Sequence, residues 1–303
     1  MKSSRLKKIL LWTVVSALGL TIAGVLGISL KVGWSLTHPV RQHTALPASA
    51  GKLFKPREVS FPSRQDKIVL RGWFLPSGNS NKTIIFAHGY GKNRLQDDVP
   101  ADAIAVALRD QGYNILMFDF RGCGESGGDL ISIGQYEKED LISAVDFMKK
   151  IGRQGDHIGV IGFSMGAVAG ITAAAEDPRI EALVADAPFA DLEQYLTENL
   201  PVWSQLPSFP FTQVILNTMP AVLHLDPHKV SPKRVVGKIK APILFIHGTA
   251  DTTIPISNSE SVYRAAPGRN RLWIVPGAKH VGSYKVQPKE YMQHVLDLFG
   301  QMK

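Results

Sequence analysis

The stretch His157-Ile-Gly-Val-Ile-Gly-Phe-Ser164-Met-Gly-Ala-Val-Ala-Gly-Ile-Thr-Ala-Ala-Ala175 decides the fold. An apolar, strand-like run ends at Phe163, and an Ala-rich helical segment, Met165–Ala175, starts one residue later. A chain that turns from strand to helix over a single residue brings the two elements into close contact, which only small flanking residues allow; Gly162 and Gly166 supply them. The spelling G-x-S-x-G is weak alone, since a chain of 303 residues shows it by chance roughly one time in ten at ordinary Gly and Ser frequencies. A second copy stands at Gly124-Glu125-Ser126-Gly127-Gly128. It follows a strand ending at Asp119 through a polar loop, and no helix opens behind it. The expected nucleophile is therefore Ser164.

Outward from this elbow, continuous apolar runs bounded by turn residues recur at Thr83–Ala87, Tyr113–Asp119, His157–Gly162, Leu183–Ala187, Ile243–His247 and Arg271–Val275. Runs of this kind are strands buried on both faces of a parallel sheet. Helical stretches alternate with them: Ala101–Gln111, Tyr136–Ile151 with Leu141, Val145 and Met148 on one face and Gly152 past its end, and Met165–Ala175. Arg57–Phe61 and Ile68–Phe74, with few residues between them, read as an antiparallel edge pair. The reading is an α/β, doubly wound, mostly parallel eight-stranded sheet, whose ligands bind at the carboxyl ends of its strands. The rhythm breaks between Pro188 and Lys240, where seven prolines stand among Phe189, Tyr195, Trp203, Phe209 and Phe211. A long insertion at a strand's carboxyl end reads as a lid.

The loop Gly122-Cys-Gly-Glu-Ser-Gly127 also spells G-x-G-x-x-G, a dinucleotide fingerprint. That fingerprint opens a helix at its third glycine, whereas here the helical period starts near Tyr136, and Glu139 and Asp140 begin a helix rather than end a strand. No cofactor is expected. A serine hydroxyl needs a base and a group to orient the base, and after a nucleophile elbow the chain order is Ser, acid, His. His280, in the turn-rich Gly277-Ala278-Lys279-His280 after a strand, is the expected base; His294 reads as a helix-face residue and His247 as a strand-end packing residue. Asp251, ending His247-Gly248-Thr249-Ala250-Asp251, is the expected acid, with Asp186 as competitor. Two backbone N–H groups must meet the oxyanion: Met165 directly after the nucleophile, and Tyr90 in the loop His88-Gly89-Tyr90-Gly91. His88, Asp119 and Arg121 are expected to brace loops.

The amino terminus carries a different signal. Residues 9–30 contain no charge and as a helix reach about 33 Å, enough to cross a bilayer. A cleaved signal would be shorter and followed closely by a small-x-small site, yet the nearest clear one, Ala48-Ser49-Ala50, is far downstream. Lys2, Arg5, Lys7 and Lys8 precede the span and only Lys31 and Arg41 follow nearby, so the amino end is expected in the cytoplasm and the remainder outside it. The expected organisation is a signal anchor over residues 1–31, an extended linker over 32–56 with Pro39, Pro47 and Pro56, and one domain over 57–303 with its lid at 188–240. Formal charge is +8, but five basic residues lie in the amino-terminal stretch and the rest is close to neutral with no basic run, which argues against nucleic acid. Cys123 is the single cysteine, so no disulfide or zinc cluster forms within the chain.

Together His88-Gly-Tyr-Gly, Asp119-Phe-Arg-Gly-Cys-Gly-Glu-Ser-Gly-Gly, Gly162-Phe-Ser-Met-Gly, His247-Gly-Thr-Ala-Asp251 and Gly277-Ala-Lys-His280 resemble the α/β-hydrolase superfamily, most of all its membrane-anchored Bem46-like branch. The resemblance covers residues 57–303. It implies a serine hydrolase with the triad Ser164, Asp251 and His280, but no particular substrate; the expected activity is metal-free hydrolysis of ester-like bonds, and the apolar insertion suits lipid-like or acyl substrates. A serine peptidase on the same fold, and a membrane-tethered scaffold without activity, are the competing readings.

Overall fold

Each apolar run becomes a strand of one sheet, and the glycine-bearing breaks become its turns. The structure is a computed structural model that describes residues 2–44 and 56–302. It opens with α1 (Lys2–Thr37), the strands β1 (Arg57–Pro62), β2 (Val69–Leu75) and β3 (Lys82–Ala87), α2 (Ala101–Asp110), β4 (Asn114–Phe118) and α3 (Glu137–Lys150). Then come β5 (His157–Phe163), α4 (Met165–Ala174), β6 (Ile180–Asp186), α5 (Leu192–Ser204), α6 (Gln213–Leu223) and α7 (Pro232–Val235). The chain closes through β7 (Ile243–Gly248), α8 (Ser257–Ala265), β8 (Arg271–Val275), α9 (Ser283–Val286) and α10 (Pro288–Phe299). The sheet runs β1-β2-β4-β3-β5-β6-β7-β8, antiparallel at β1/β2 and β2/β4 and parallel from β4 to β8. This is the α/β-hydrolase fold.

Alternation along β3 shows why both faces are apolar. Ile84 and Phe86 enter one core layer with Ile104 and Leu108 of α2 and Tyr291 and Leu298 of α10. Ile85 and Ala87 enter the other, with Leu141, Val145 and Met148 of α3 and Ile171 of α4. Each fully buried large side chain contributes about 1.5–3 kcal/mol relative to exposure, so a sheet covered on both sides keeps its strand ends fixed. Registry carries this to one edge: Ala87 pairs with Gly162, Phe163 with Asp186, Asp186 with Ile246, and Gly248 with Val275. The carboxyl ends of β3, β5, β6, β7 and β8 therefore open side by side.

Two parts of the expected organisation come out differently. Helix α1 continues past the apolar run to Thr37, so the extended segment begins at His38 and not at residue 32. The last turns are held by packing: a Cβ on Gly33 would stand 2.4 Å from Met219 Cγ and Sδ of α6. Pro39 then stops the helix by disfavouring helical geometry at His38. Pro47 and Ala48-Ser49-Ala50 lie outside the described residues. Further on, Arg41 Nη1 donates to the Ser126 carbonyl (2.5 Å) and Nη2 to that of Gly128, tying this segment to the glycine loop.

The second difference concerns the insertion. The chain forms two units, one made of α1 with Glu193–Asp226, the other of the described residues in His38–Leu192 and Pro227–Lys303. Only the middle of the 188–240 stretch thus leaves the sheet-bearing unit. Its stems stay there, where Leu192 N–H donates to Val230 O (2.9 Å) and Lys233 N–H to Ala190 O (3.1 Å).

Candidate active site

Ser164 closes β5 and opens α4 with φ 54° and ψ −117°, a conformation L-residues avoid at a cost of roughly 1–3 kcal/mol. Its N–H donates to Asp186 O (2.8 Å), and its carbonyl accepts from Ala167 and Val168. Close packing fixes the elbow. A Cβ on Gly166 would lie 2.0 Å from the Ala87 carbonyl oxygen, and one on Gly162 would lie 2.5 Å from that of Gly166. The side chain of Ser164 is half-buried, and among the described residues no hydrogen bond holds its Oγ.

Asp251 and His280 come together, 29 residues apart in sequence. His280 Nδ1 lies 2.7 Å from Asp251 Oδ2, the imidazole partly exposed and the carboxylate wholly buried. Asp251 Oδ1 accepts from Thr253 N–H and Ile254 N–H, both at 2.9 Å. Burial opposes ionisation of Asp251, but hydrogen bonds from His247 and His280 outweigh it and hold the carboxyl well below the usual carboxylate range. An ionised Asp251 accepts a hydrogen bond from the His280 Nδ1–H, which leaves Nε2 as the nitrogen that can take up a proton. No hydrogen bond joins that ring to Ser164 among the described residues. The two residues nevertheless share the edge: Ser164 is bonded to the backbone of Asp186 at the end of β6, which pairs with β7, and Asp251 and His280 follow β7 and β8.

His247 is the residue that its strand-end position concealed. Rather than packing alone, its buried ring stands with Nε2 3.2 Å from Asp251 Oδ2 and 2.8 Å from Ile254 O, while Nδ1 is 2.6 Å from Ser259 Oγ. Facing two oxygens that can only accept, Nε2 carries a proton and donates. Asp251 Oδ2 thus receives two imidazole N–H groups. Sequence offers one faint sign of it, a histidine four positions before the acid.

Across the edge, the loop after β3 abuts Ser164: a Cβ on Gly89 would be 3.5 Å from Ser164 Cβ. Gly89 N–H donates to Gln96 Oε1 (2.5 Å), and Tyr90 follows it in this loop. Met165 is the first residue of α4, where an amide has no acceptor within its own helix. His88 braces the loop. Its Nδ1 donates to Gly89 O (2.8 Å) and its Nε2 accepts from Phe120 N–H (2.9 Å), and burial lowers its pKa despite Asp119.

The competing residues have partners of their own in the fold, except at one oxygen of Asp186. Ser126 Oγ donates to Asp119 O (2.6 Å) and accepts from Arg71 N–H (2.9 Å). Asp119 accepts from Arg94 N–H, Nε and Nη2, while Arg121 binds Asp140 and Asp66. His294 lies against Trp273, ring centroids 4.7 Å apart. Asp186 is fully buried; burial pushes its carboxyl up to about 7 against the pull of His247, His280 and the Tyr291 hydroxyl, which is 3.3 Å from Oδ2. Among the described residues its Oδ1 has no hydrogen-bond partner.

The chain is similar to known proteins in sequence and in fold. YqkD of Bacillus subtilis, an uncharacterized protein, is 31% identical over 235 residues, covering 77% of this chain and 76% of that one. Rv2307c of Mycobacterium tuberculosis, also uncharacterized, is 27% identical over 241 residues, covering 78% and 76%. The Pf2001 esterase of Pyrococcus furiosus superposes with a TM-score of 0.72 at 28% identity, over 88% of this chain and 98% of its own. The sequence signature of the prolyl oligopeptidase family spans residues 101–302, from α2 to the end of the sheet-bearing unit, and by that match the chain belongs to the prolyl oligopeptidase family within the α/β-hydrolase superfamily.

Proposed function

We propose that the chain is a serine hydrolase of ester-like bonds. The observation that carries the reading is the 2.7 Å contact between His280 and a buried, ionised Asp251, at the edge where Ser164 stands on a strained elbow. His280 Nε2 takes the Ser164 Oγ proton as Oγ bonds to the substrate carbonyl carbon. Asp251 stabilises the imidazolium, and the amides of Tyr90 and Met165 bind the oxyanion, each donor being worth roughly 10²–10³ in rate. The imidazolium then protonates the leaving alcohol, and water releases the acyl group by the same route. The 28% identical esterase supports ester chemistry. Labelling with a fluorophosphonate tests the assignment: the native chain should react and Ser164→Ala should not. Labelling that persists in the variant would move the nucleophile elsewhere, and an unreactive native chain would favour a tethered scaffold.

A serine peptidase is the second reading, favoured by the family signature itself. Turnover of short acyl esters against the matching peptide amides separates the two. We place the chain in the membrane-anchored Bem46-like branch, with α1 as a retained anchor, the amino end cytoplasmic and the domain outside. The 33-residue helix Arg5–Thr37 contains an 18-residue stretch of mean hydropathy 2.2, which supports an anchor. Protease added to intact cells should digest the domain; protection there would reverse the orientation.

A further inference from the structure

We propose that the cap formed by residues 193–226 is seated in the bilayer interface by α1, with Trp203 and Phe209 immersed in lipid. The inference rests on the reading of α1 as a membrane anchor. Three observations point to lipid. First, residues 199–225 hold 27 positions without one Lys, Arg, Asp or Glu, in a chain that is 20% charged. Second, this segment still exposes large apolar side chains: Phe209 is 78% exposed, Val202 71% and Val222 54%. A face of that kind on a water-soluble protein would be a liability.

Third, the segment is joined to the helix at a definable depth. Along α1, Val25, Val32 and Leu36 are half-buried and Ser29, Gly33 and Thr37 buried, one stripe at helical spacing, while the other residues from Arg5 to Thr37 are exposed. Helix α6 and the neighbouring Ser208–Thr212 pack against α1, with the Met219 side chain seated where Gly33 lacks a Cβ. Trp12 and Trp34, both exposed, are 22 residues apart on this helix, about 33 Å, the distance between the two interfacial layers that tryptophan prefers. Gly33 adjoins Trp34. The docking point of α6 therefore falls at the level of the outer interface, and the exposed aromatic residues of the cap continue the apolar surface of the span.

The full chain is tested in phosphatidylcholine vesicles. An environment-sensitive fluorophore is placed on Phe209→Cys, Leu18→Cys or Arg264→Cys, each with Cys123→Ser so that one thiol remains. The label at 209 should emit at shorter wavelength than the one at 264, be quenched by lipids carrying a nitroxide near the headgroup, and resist aqueous iodide. The label at 18 should respond to deep nitroxides. If 209 behaves like 264 while 18 is quenched by lipid, the cap faces water and the proposal fails although the anchor stands. If 18 also behaves like 264, the anchor itself fails. Shielding of 209 from iodide without quenching by lipid would mean that protein covers this face, which also overturns the proposal.

Discussion

Ser164 and Ser126 sit between glycines at the same spacing, yet the surrounding hydrogen bonds are opposite. Ser126 is buried, its hydroxyl bonded on both sides and its loop clamped by Arg41. Ser164 is half-buried with an unbonded hydroxyl and φ 54°. A hydroxyl that stabilises its loop has its donor and acceptor satisfied; a hydroxyl that reacts must keep them for the substrate and the base. Strain points the same way, since an unfavourable backbone angle is retained where the side chain must be presented.

The largest test of this contrast is activity. Ser164→Ala should lower kcat by about 10⁴-fold or more, read from ester hydrolysis, while Ser126→Ala should keep the native turnover of its folded fraction. Loss of turnover in Ser126→Ala at native fold content would break the distinction. Next comes the second imidazole on Asp251: His247→Phe removes one charge-assisted hydrogen bond and should cost about 10–100-fold in kcat with KM little altered. A change confined to KM would make His247 a substrate-binding residue instead. Ser126→Ala should then lose roughly 1–3 kcal/mol of stability in denaturant titration, because Asp119 O and Arg71 N–H are left unpaired in the interior.

Smaller effects refine the contrast. The Asp186 carboxyl, raised by burial to about 7, is protonated in the folded chain and ionised in the unfolded chain between roughly pH 4 and that value. Its contribution is therefore intact at pH 4, is lost as pH rises through the folded value, and stays lost above it. Asp186→Asn should raise Tm more at pH 8 than at pH 4; equal gains would show that the carboxyl is not held protonated. Last, Ser164→Gly should raise stability by roughly 1 kcal/mol by releasing the strained angle, the reverse of the change at Ser126.

Much of this was legible in the sequence because parallel strands announce themselves. Buried on both faces, they need unbroken apolar runs, and Thr83–Ala87 or Ile243–His247 leave little else to be read. The elbow is equally local, since its two glycines answer to contacts made within the same strand and helix and with Ala87. What was not legible depends on partners distant in sequence. The extension of α1 to Thr37 comes from Met219, nearly two hundred residues on, and no hydropathy window contains that contact. The pairing of His247 with Asp251 likewise follows from the path of the loop after β7, which brings Ile254 O and Ser259 around the ring. The split of the insertion follows from stems that return to the sheet-bearing unit while the residues between them join α1.

The tie between Leu192 and Val230 has a practical side. Because both ends of the intervening piece are pinned next to each other by backbone bonds of the sheet-bearing unit, the stretch is a detachable module, and a short turn in its place would leave the stems as they are. Homologues could then exchange this piece by grafting it between the same two stems, the strands and their carboxyl-end loops being those of the recipient.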